Sequence, residues 1–377
     1  MRKRSSAVVA VMVLCTACAG ERSIAPESFV LHESLTLQEN IYGGIALTQD
    51  EVFYFDELEP ENLNYLELFR ASGEDKGVPL CSLPDCTHDT SSCNAVFEHP
   101  SDVFCAGDAV YVIAEKQRMN GPMLYRLDAD GSERTELGRL AEQSESEVRF
   151  GYQLLGYTEQ ELYVRIGGGE TDRPARLFQT SYQDDTRLEE VTLPRPDGVS
   201  AESKVQITDA QMESSNLYVA VNWSESGVTT GALVRMEMAT GVPEIVWTTE
   251  QELTSFALDG QKVWMLCGTD LITGDTKTGQ TTVKQADWCS DRRVRYTGEE
   301  LLWIPMDMSW IATRADANVG EVWVSDLNGV IQKTVSVVQD DLPEGDVTVL
   351  GYRDGRLYCR QGEVLTEVEI PEVKNAQ

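Results

Sequence analysis

Three cysteines and a histidine crowd into one short stretch, Cys81–Cys93 (CSLPDCTHDTSSC), in the order C-x4-C-x-H-x4-C. Cys81, Cys86, His88 and Cys93 are the right types and number for a tetrahedral Zn²⁺ site. Residues i and i+2 of an extended segment share a side, so Cys86 and His88 can ligate together. Pro84 and Asp85 favour the turn this requires. A site with four protein ligands keeps no open position, so it would staple a loop rather than carry out a reaction. Disulfides are the competing reading. Cys105 follows on the next apolar stretch, and Cys81, Cys86, Cys93 and Cys105 could close two bridges in an oxidising compartment. Their connectivity cannot be read from sequence. Cys267, Cys289 and Cys359 are odd in number, and are either further disulfide partners or free core thiols.

Other catalytic constellations are thin. The chain has three histidines, His32, His88 and His99, and no G-x-S-x-G, H-E-x-x-H or Walker A pattern. Gly167-Gly168-Gly169 joins two apolar stretches without opening a helix, so no phosphate cradle is implied. Ser325-Asp326-Leu327-Asn328-Gly329 is a turn that only superficially resembles a sialidase Asp-box, since its Asp comes one position early. Paired carboxylates for glycoside hydrolysis or lyase chemistry stay open, because 63 acidic residues allow too many pairs to choose among.

The elements that must position these residues are repeated. Gly107–Glu133 reads as an apolar strand, a turn, a second apolar strand and an Asp/Gly turn. Looser copies carry inner strands at Glu51–Phe55, Ala109–Ala114, Glu161–Ile166, Asn216–Val221, Lys262–Cys267, Glu300–Pro305 and Arg356–Arg360. Val-, Tyr- and Trp-rich runs bounded by turn residues read as strands, and a recurrence of about 40–50 residues is the spacing of a propeller blade. Blades are expected over about 41–81, 95–140, 148–193, 204–248, from 253, 294–338 and 347–370. The last has room for three strands, and Phe29–Leu37 could supply a fourth and close the ring. The expectation is an all-β, seven-bladed β-propeller over residues 29–371 with a short tail at 372–377. Poor punctuation after Cys267, where 272–282 reads as a polar hairpin tip, leaves six or eight blades open. Tyr54, Tyr111, Tyr163, Tyr218, Trp264, Trp303 and Tyr358 recur in register and should pack between blades. Trp223, Trp288 and Trp310 fall outside the strand cores and are candidates for exposed stacking.

The N-terminus reads as a targeting segment. Arg2, Lys3 and Arg4 precede the apolar run Ala7–Cys15, too short to span a bilayer but suited to a signal peptide. Cys15-Thr16-Ala17-Cys18 resembles a bacterial lipobox, which makes residues 1–17 a lipoprotein signal and Cys18 the lipidated first residue. Ala17-Cys18-Ala19 also reads as an ordinary A-x-A cleavage site, which would give secretion instead. Residues 18–28 are a polar tether reaching about 35 Å at most. Without residues 1–17 the chain carries 28 basic and 63 acidic residues, a formal charge of −35. Phosphate binding needs clustered Lys and Arg, so nucleic acid is excluded as a partner.

The lipobox-like start, the strands LYRLDADG and LYVRI, and the C-x4-C-x-H-x4-C insert together resemble bacterial surface lipoproteins with TolB-like or YWTD-like propellers. The insert is similar to that of uncharacterised lipoproteins of Gram-positive bacteria. The resemblance implies a ring-shaped extracellular domain, and it supplies no catalytic residues. A monomer is expected, anchored through Cys18 to the outer face of the bacterial cytoplasmic membrane, with secretion as the alternative. The function expected is a non-enzymatic binding or scaffold module for an envelope protein, peptide or glycan. A carbohydrate-active hydrolase or lyase using carboxylates at the channel mouth is the alternative.

Overall fold

The computed structural model describes residues 45–370 except 49–50, 58–64, 73–76, 116–121, 141–151, 168–173, 183–184, 290, 306–319, 340–346, 354 and 362–363. The signal segment 1–17, the tether 18–28 with Cys18, the closing strand Phe29–Leu37, His32, Trp310 and the tail 372–377 lie outside the described residues.

Twenty-eight strands form seven antiparallel sheets, and the one helical turn among the described residues is Asp287–Cys289. Blades 2 to 6 are four-stranded meanders, blade 7 has three strands, and blade 1 has a split outer strand. The sheets span residues 45–98, 100–139, 152–191, 204–249, 253–285, 292–336 and 347–369. This is the seven-bladed β-propeller that the repeat spacing implied. No helix among the described residues is long and apolar enough to cross a membrane.

The ring is visible in which strands touch. Within blades 1 to 6 each first strand contacts the first strand of the next blade, and that of blade 7 contacts blade 1. First strands therefore surround the axis. The aromatic runs expected to be innermost are instead the second strands, such as Ala109–Glu115 and Lys262–Cys267. A second strand has a neighbour on each edge and a blade against each face, so it is apolar on both faces. Tyr54, Tyr111, Tyr163, Tyr218, Trp264, Trp303 and Tyr358 sit there, all buried.

Seven apolar clusters fill the seven seams. Leu66, Phe97 and Val112 join blades 1 and 2, and Phe104, Tyr157 and Tyr182 join 2 and 3. Tyr163 with Val221 joins 3 and 4, Tyr218 with Phe256 joins 4 and 5, and Trp264 with Trp303 joins 5 and 6. Leu302 with Leu357 joins 6 and 7, and Tyr54 with Tyr358 closes the ring at 7 and 1.

Two expectations are corrected. Blade 5 is complete: Asp270–Asp275, read as part of a hairpin tip, is its third strand, paired along Lys262–Cys267. Its Asp and Gly content hid a strand whose Leu271 and Ile272 are buried. Trp223 lies within Asn216–Glu225, a strand longer than its apolar core suggested, and is 2% exposed.

Polar bonds fasten the seams near the axis. Leu253 of blade 5 exchanges two hydrogen bonds with the Asn222 amide of blade 4, at 2.8 and 2.9 Å. Asp209 of blade 4 accepts from Ser255 Oγ of blade 5 at 2.7 Å and takes both arms of Arg295 of blade 6, each at 2.9 Å. This pair is almost fully buried, with side-chain exposures of 2% and 7%. Removing one partner of a buried pair strands the other charge at about 3–5 kcal/mol. Asp209→Ala should therefore lower stability by about that amount, read as a drop in the urea midpoint, whereas a shift below about 1 kcal/mol would mean the network is not holding three blades together.

Candidate functional site

The Cys/His insert leaves the outer strand of blade 1 and returns to it. Val78–Pro79 pairs with Phe69 and Arg70, and Val96–Glu98 pairs with Tyr65–Glu67 of the same third strand. Leu68 between them donates to Ala95 O and accepts from Leu80 N–H, each at 2.8 Å, so the chain departs and re-enters at one residue. The insert was expected between blades 1 and 2; it is instead an excursion within blade 1, which runs on to Glu98 before Pro100 begins blade 2. The short segment Val96–Glu98 gave no strand signal of its own, which is why the boundary was placed too early.

The excursion brings all four predicted ligands together. One ligand atom from each of Cys81, Cys86, His88 and Cys93 lies within 4.8 Å of every other. His88 Nδ1 is 3.3 Å from Cys93 Sγ. Metal–sulfur bonds of 2.3 Å at tetrahedral angles put sulfurs about 3.8 Å apart, so a metal would need to draw the set inward by about 1 Å. Asp85 and His88 both have left-handed backbone, with φ of 60° and 57°. This costly conformation for a non-glycine residue curls the loop onto itself. All seven described cysteines are free thiols. Cys105 packs against the same core without joining the cluster, and Cys267, Cys289 and Cys359 are buried in later blades. Among the described residues this is the one group of three or more Cys, His, Asp or Glu side chains whose ligand atoms converge.

The sulfurs are prepared unequally. Burial disfavours the Cys81 thiolate, but amide donors from Leu83 and Asn94 and the thiols of Cys93 and Cys86 outweigh it and lower its pKa. Burial pushes Cys93 up to about 12, despite the Ala95 amide 3.3 Å from its sulfur, and Cys81 and Cys86 add to the rise. The surroundings thus shift one sulfur towards the thiolate and its neighbour towards the thiol. A divalent cation reverses that balance by deprotonating the thiols it binds. Leu83 and Ala95 each stand two residues after the cysteine whose sulfur they serve, as supporting donors to metal thiolates do.

Blade 2 grips the insert from the other side of the seam. Arg134 donates to Val96 O at 2.7 Å and Ser91 O at 2.9 Å, with its guanidinium 5.2 Å from the Phe97 ring centre. Gly131 O accepts from Asn94 Nδ2 at 2.9 Å and from Ser82 N–H at 3.2 Å. Sequence reasoning missed Asn94, Gly131 and Arg134, because these partners stand about 40 residues apart and carry no metal-ligand chemistry. Trp288, a candidate for exposed stacking, is half-buried against Trp303 and Trp323, with ring centres 4.8 and 5.6 Å away.

Comparisons with known proteins give the fold and no family. No family model and no curated protein matches the chain. Among solved structures, the β-propeller domain of the Trilobed protease from Pyrococcus furiosus, which has an open velcro topology, aligns over 89% of this chain and 98% of its own. Its TM-score is 0.52, at 10% identity. BamB from Moraxella catarrhalis aligns over 87% of this chain and 84% of its own, at TM-score 0.48 and 15% identity.

Two predictions follow the geometry. A Cβ on Gly131 would lie 2.5 Å from Leu80 C and O and 2.7 Å from Cys81 N, on a backbone of φ +72°. Gly131→Ala should cost about 1–3 kcal/mol by overpacking and roughly 1 more for the left-handed backbone, read in urea unfolding; a neutral result would mean the turn does not bear on the insert. Glu67, opposite Val96, is buried with Oε1 unpartnered among the described residues. Burial first, then the Asp56 charge, raises its pKa from 4.5 to about 7. The folded state therefore holds a proton that the unfolded chain releases. Glu67's contribution to stability is complete below pH 4.5, is lost as pH rises towards about 7, and changes no further above it. Glu67→Gln should flatten the pH dependence of the urea midpoint across that window; an unchanged slope would place the titration elsewhere.

Proposed function

We propose that the protein is a non-enzymatic binding module of the cell envelope, held to the outer face of the membrane through lipidated Cys18, whose blade 1 insert is stapled by one Zn²⁺. The observation that carries the reading is the convergence of Cys81, Cys86, His88 and Cys93 to within 4.8 Å. Three sulfurs and an imidazole are soft donors that select Zn²⁺ over Ca²⁺ or Mg²⁺, which take oxygen ligands. Four protein ligands leave no coordination position for substrate or water, so the site serves structure. The metal would fix a loop that blade 2 already grips through Arg134 and Gly131. A rigid ring then presents fixed loops to a protein, peptide or glycan partner, in the way loops on stable scaffolds carry recognition. The apolar run Ala7–Cys15 and the lipobox-like Cys15–Cys18 support the anchor.

The test uses residues 19–377 purified without chelator, with metal content by mass spectrometry and a free-thiol count. About one Zn²⁺ per chain is expected, falling to a small fraction in Cys86→Ser and His88→Ala. Metal-free protein with few free thiols would replace the staple by a disulfide loop. The binding role is checked on envelope glycans and peptidoglycan fragments. Retention without release of reducing ends is expected, and release that disappears when channel-mouth carboxylates are neutralised would overturn it in favour of a hydrolase or lyase.

A further inference from the structure

Three charged side chains from three blades, one of which adjoins neither of the others, are buried together at the axis. Asp102 belongs to the first strand of blade 2, Arg165 to the second strand of blade 3 and Arg293 to the first strand of blade 6. They are 1%, 5% and 2% exposed. Both Arg293 and Asp102 lie close enough to act electrostatically on Arg165, and the effect of Arg293 is the larger. Blades 3 and 6 are not neighbours in either direction around a seven-membered ring. Side chains from them can approach one another only across the central channel. All three positions also lie at one end of it. Asp102 and Arg293 are near the start of first strands, and Arg165 is near the end of a strand running the opposite way.

Arg165 is not fully used by the fold. Its Nη1 donates to Ile207 O of blade 4 at 2.9 Å, which fixes the guanidinium against the channel wall. Its Nε is buried and has no partner among the described residues. A buried donor left without a partner bears the full cost of its desolvation, more when it is charged. Burial and Arg293 together lower the Arg165 pKa to about 10, so the guanidinium remains charged at neutral pH. Among the described residues the charges that reach it include one guanidinium and one carboxylate, and the guanidinium has the larger effect. This stands within a chain of formal charge −32, so the positive spot is not part of a general basic surface.

We propose that the axial end of the channel at Arg165 binds the carboxylate group of a small ligand or of a partner's side chain or terminus. The planar pair of oxygens of a carboxylate matches the guanidinium fork, whose Nε is the donor left open. The proposal gives the binding module a ligand chemistry and rests on that reading for its purpose. The two can fail separately, because metal content does not depend on Arg165 and a carboxylate can bind there whether or not the envelope glycans are retained.

The experiment is thermal unfolding of the full mature chain in acetate, glucuronate, phosphate or chloride at matched ionic strength. A saturable rise in Tm of about 2 °C or more with the carboxylates over chloride is expected, and it should vanish in Arg165→Met. Equal Tm values in all four salts would overturn the proposal, as would a carboxylate shift that survives in Arg165→Met. A response to phosphate and not to carboxylate would overturn the carboxylate assignment. Should Arg165→Met fail to fold, crystals of the native chain soaked in 4-bromobenzoate, whose aryl bromide does not alkylate thiols, decide the matter. Bromine density beside Arg165 supports the site, and its absence there overturns it.

Discussion

A twisted four-stranded sheet with two apolar faces cannot satisfy either face alone. Everything in this molecule follows from giving each face a neighbour. Seven sheets meet at seven seams, and each seam has its own apolar cluster. The second strand of every blade carries most of this burden, with stretches such as Ala109–Ala114 buried at every position. Burial is non-directional, however, and would tolerate one blade sliding against the next. Direction comes from the polar bonds placed nearest the axis: Asn222 with Leu253, Asp209 with Ser255 and Arg295, and Gln361 with the backbone of Gln339. A misaligned seam would leave these groups buried and unsatisfied, a larger penalty than the apolar contacts alone could impose.

The repeat was legible because second strands have no polar face. Double burial writes a continuous run of Val, Leu, Tyr and Trp that turn residues bound cleanly. First and fourth strands are harder to read for the opposite reason. Thr281–Gln285, the outer strand of blade 5, is exposed at every position and so resembles a loop in composition. Asp270–Asp275 is broken up by Gly and Asp, although its Leu271 and Ile272 enter the core. At the site the ligand types and their order were fully visible, since C-x4-C-x-H-x4-C is local. Its place in the blade was not, because a chain that leaves a strand at Leu80 and rejoins it at Ala95 declares itself only through bonds to Leu68. The residues that grip the insert, Asn94, Gly131 and Arg134, were equally hidden, since nothing in a turn such as Asp128–Gly131 announces which loop will dock on it.

Charge is arranged in the reverse of the usual expectation for an acidic protein. Among the described residues the buried acids are Glu67, Asp102 and Asp209, while Arg165, Arg292, Arg293 and Arg295 are all buried. Arg292 is spent on structure: it donates to Trp303 O at 3.1 Å and to Glu321 O at 2.8 Å, and lies 3.3 Å over the Trp323 ring. Arg295 is spent on Asp209. Their guanidinium groups stay charged when buried, so each must be met by carbonyls, a carboxylate or an aromatic face. Arg165 differs in having only one such bond of its own and a like charge nearby. That contrast, rather than burial itself, separates an arginine that holds blades from one placed to meet something that enters the channel.

The split outer strand explains why the Cys/His set lies at the rim of blade 1 and nowhere else. Elsewhere an outer strand pairs along most of its third-strand neighbour, as Val242–Thr249 does with Val228–Glu237. In blade 1 the corresponding ladder is reduced to two short pieces on either side of Leu68. A long excursion interrupts this outer strand, and the excursion packs in the seam with blade 2. Arg134 and Gly131 fix the two ends of the excursion, while in its middle Cys86 packs against the core of the seam and His88 meets Cys93. Cross-linking four points of one loop removes most of the freedom it would otherwise have, whichever bond does it. The proposed metal would tie all four side chains to a single centre while leaving the backbone amides of Leu83 and Ala95 to support the sulfurs.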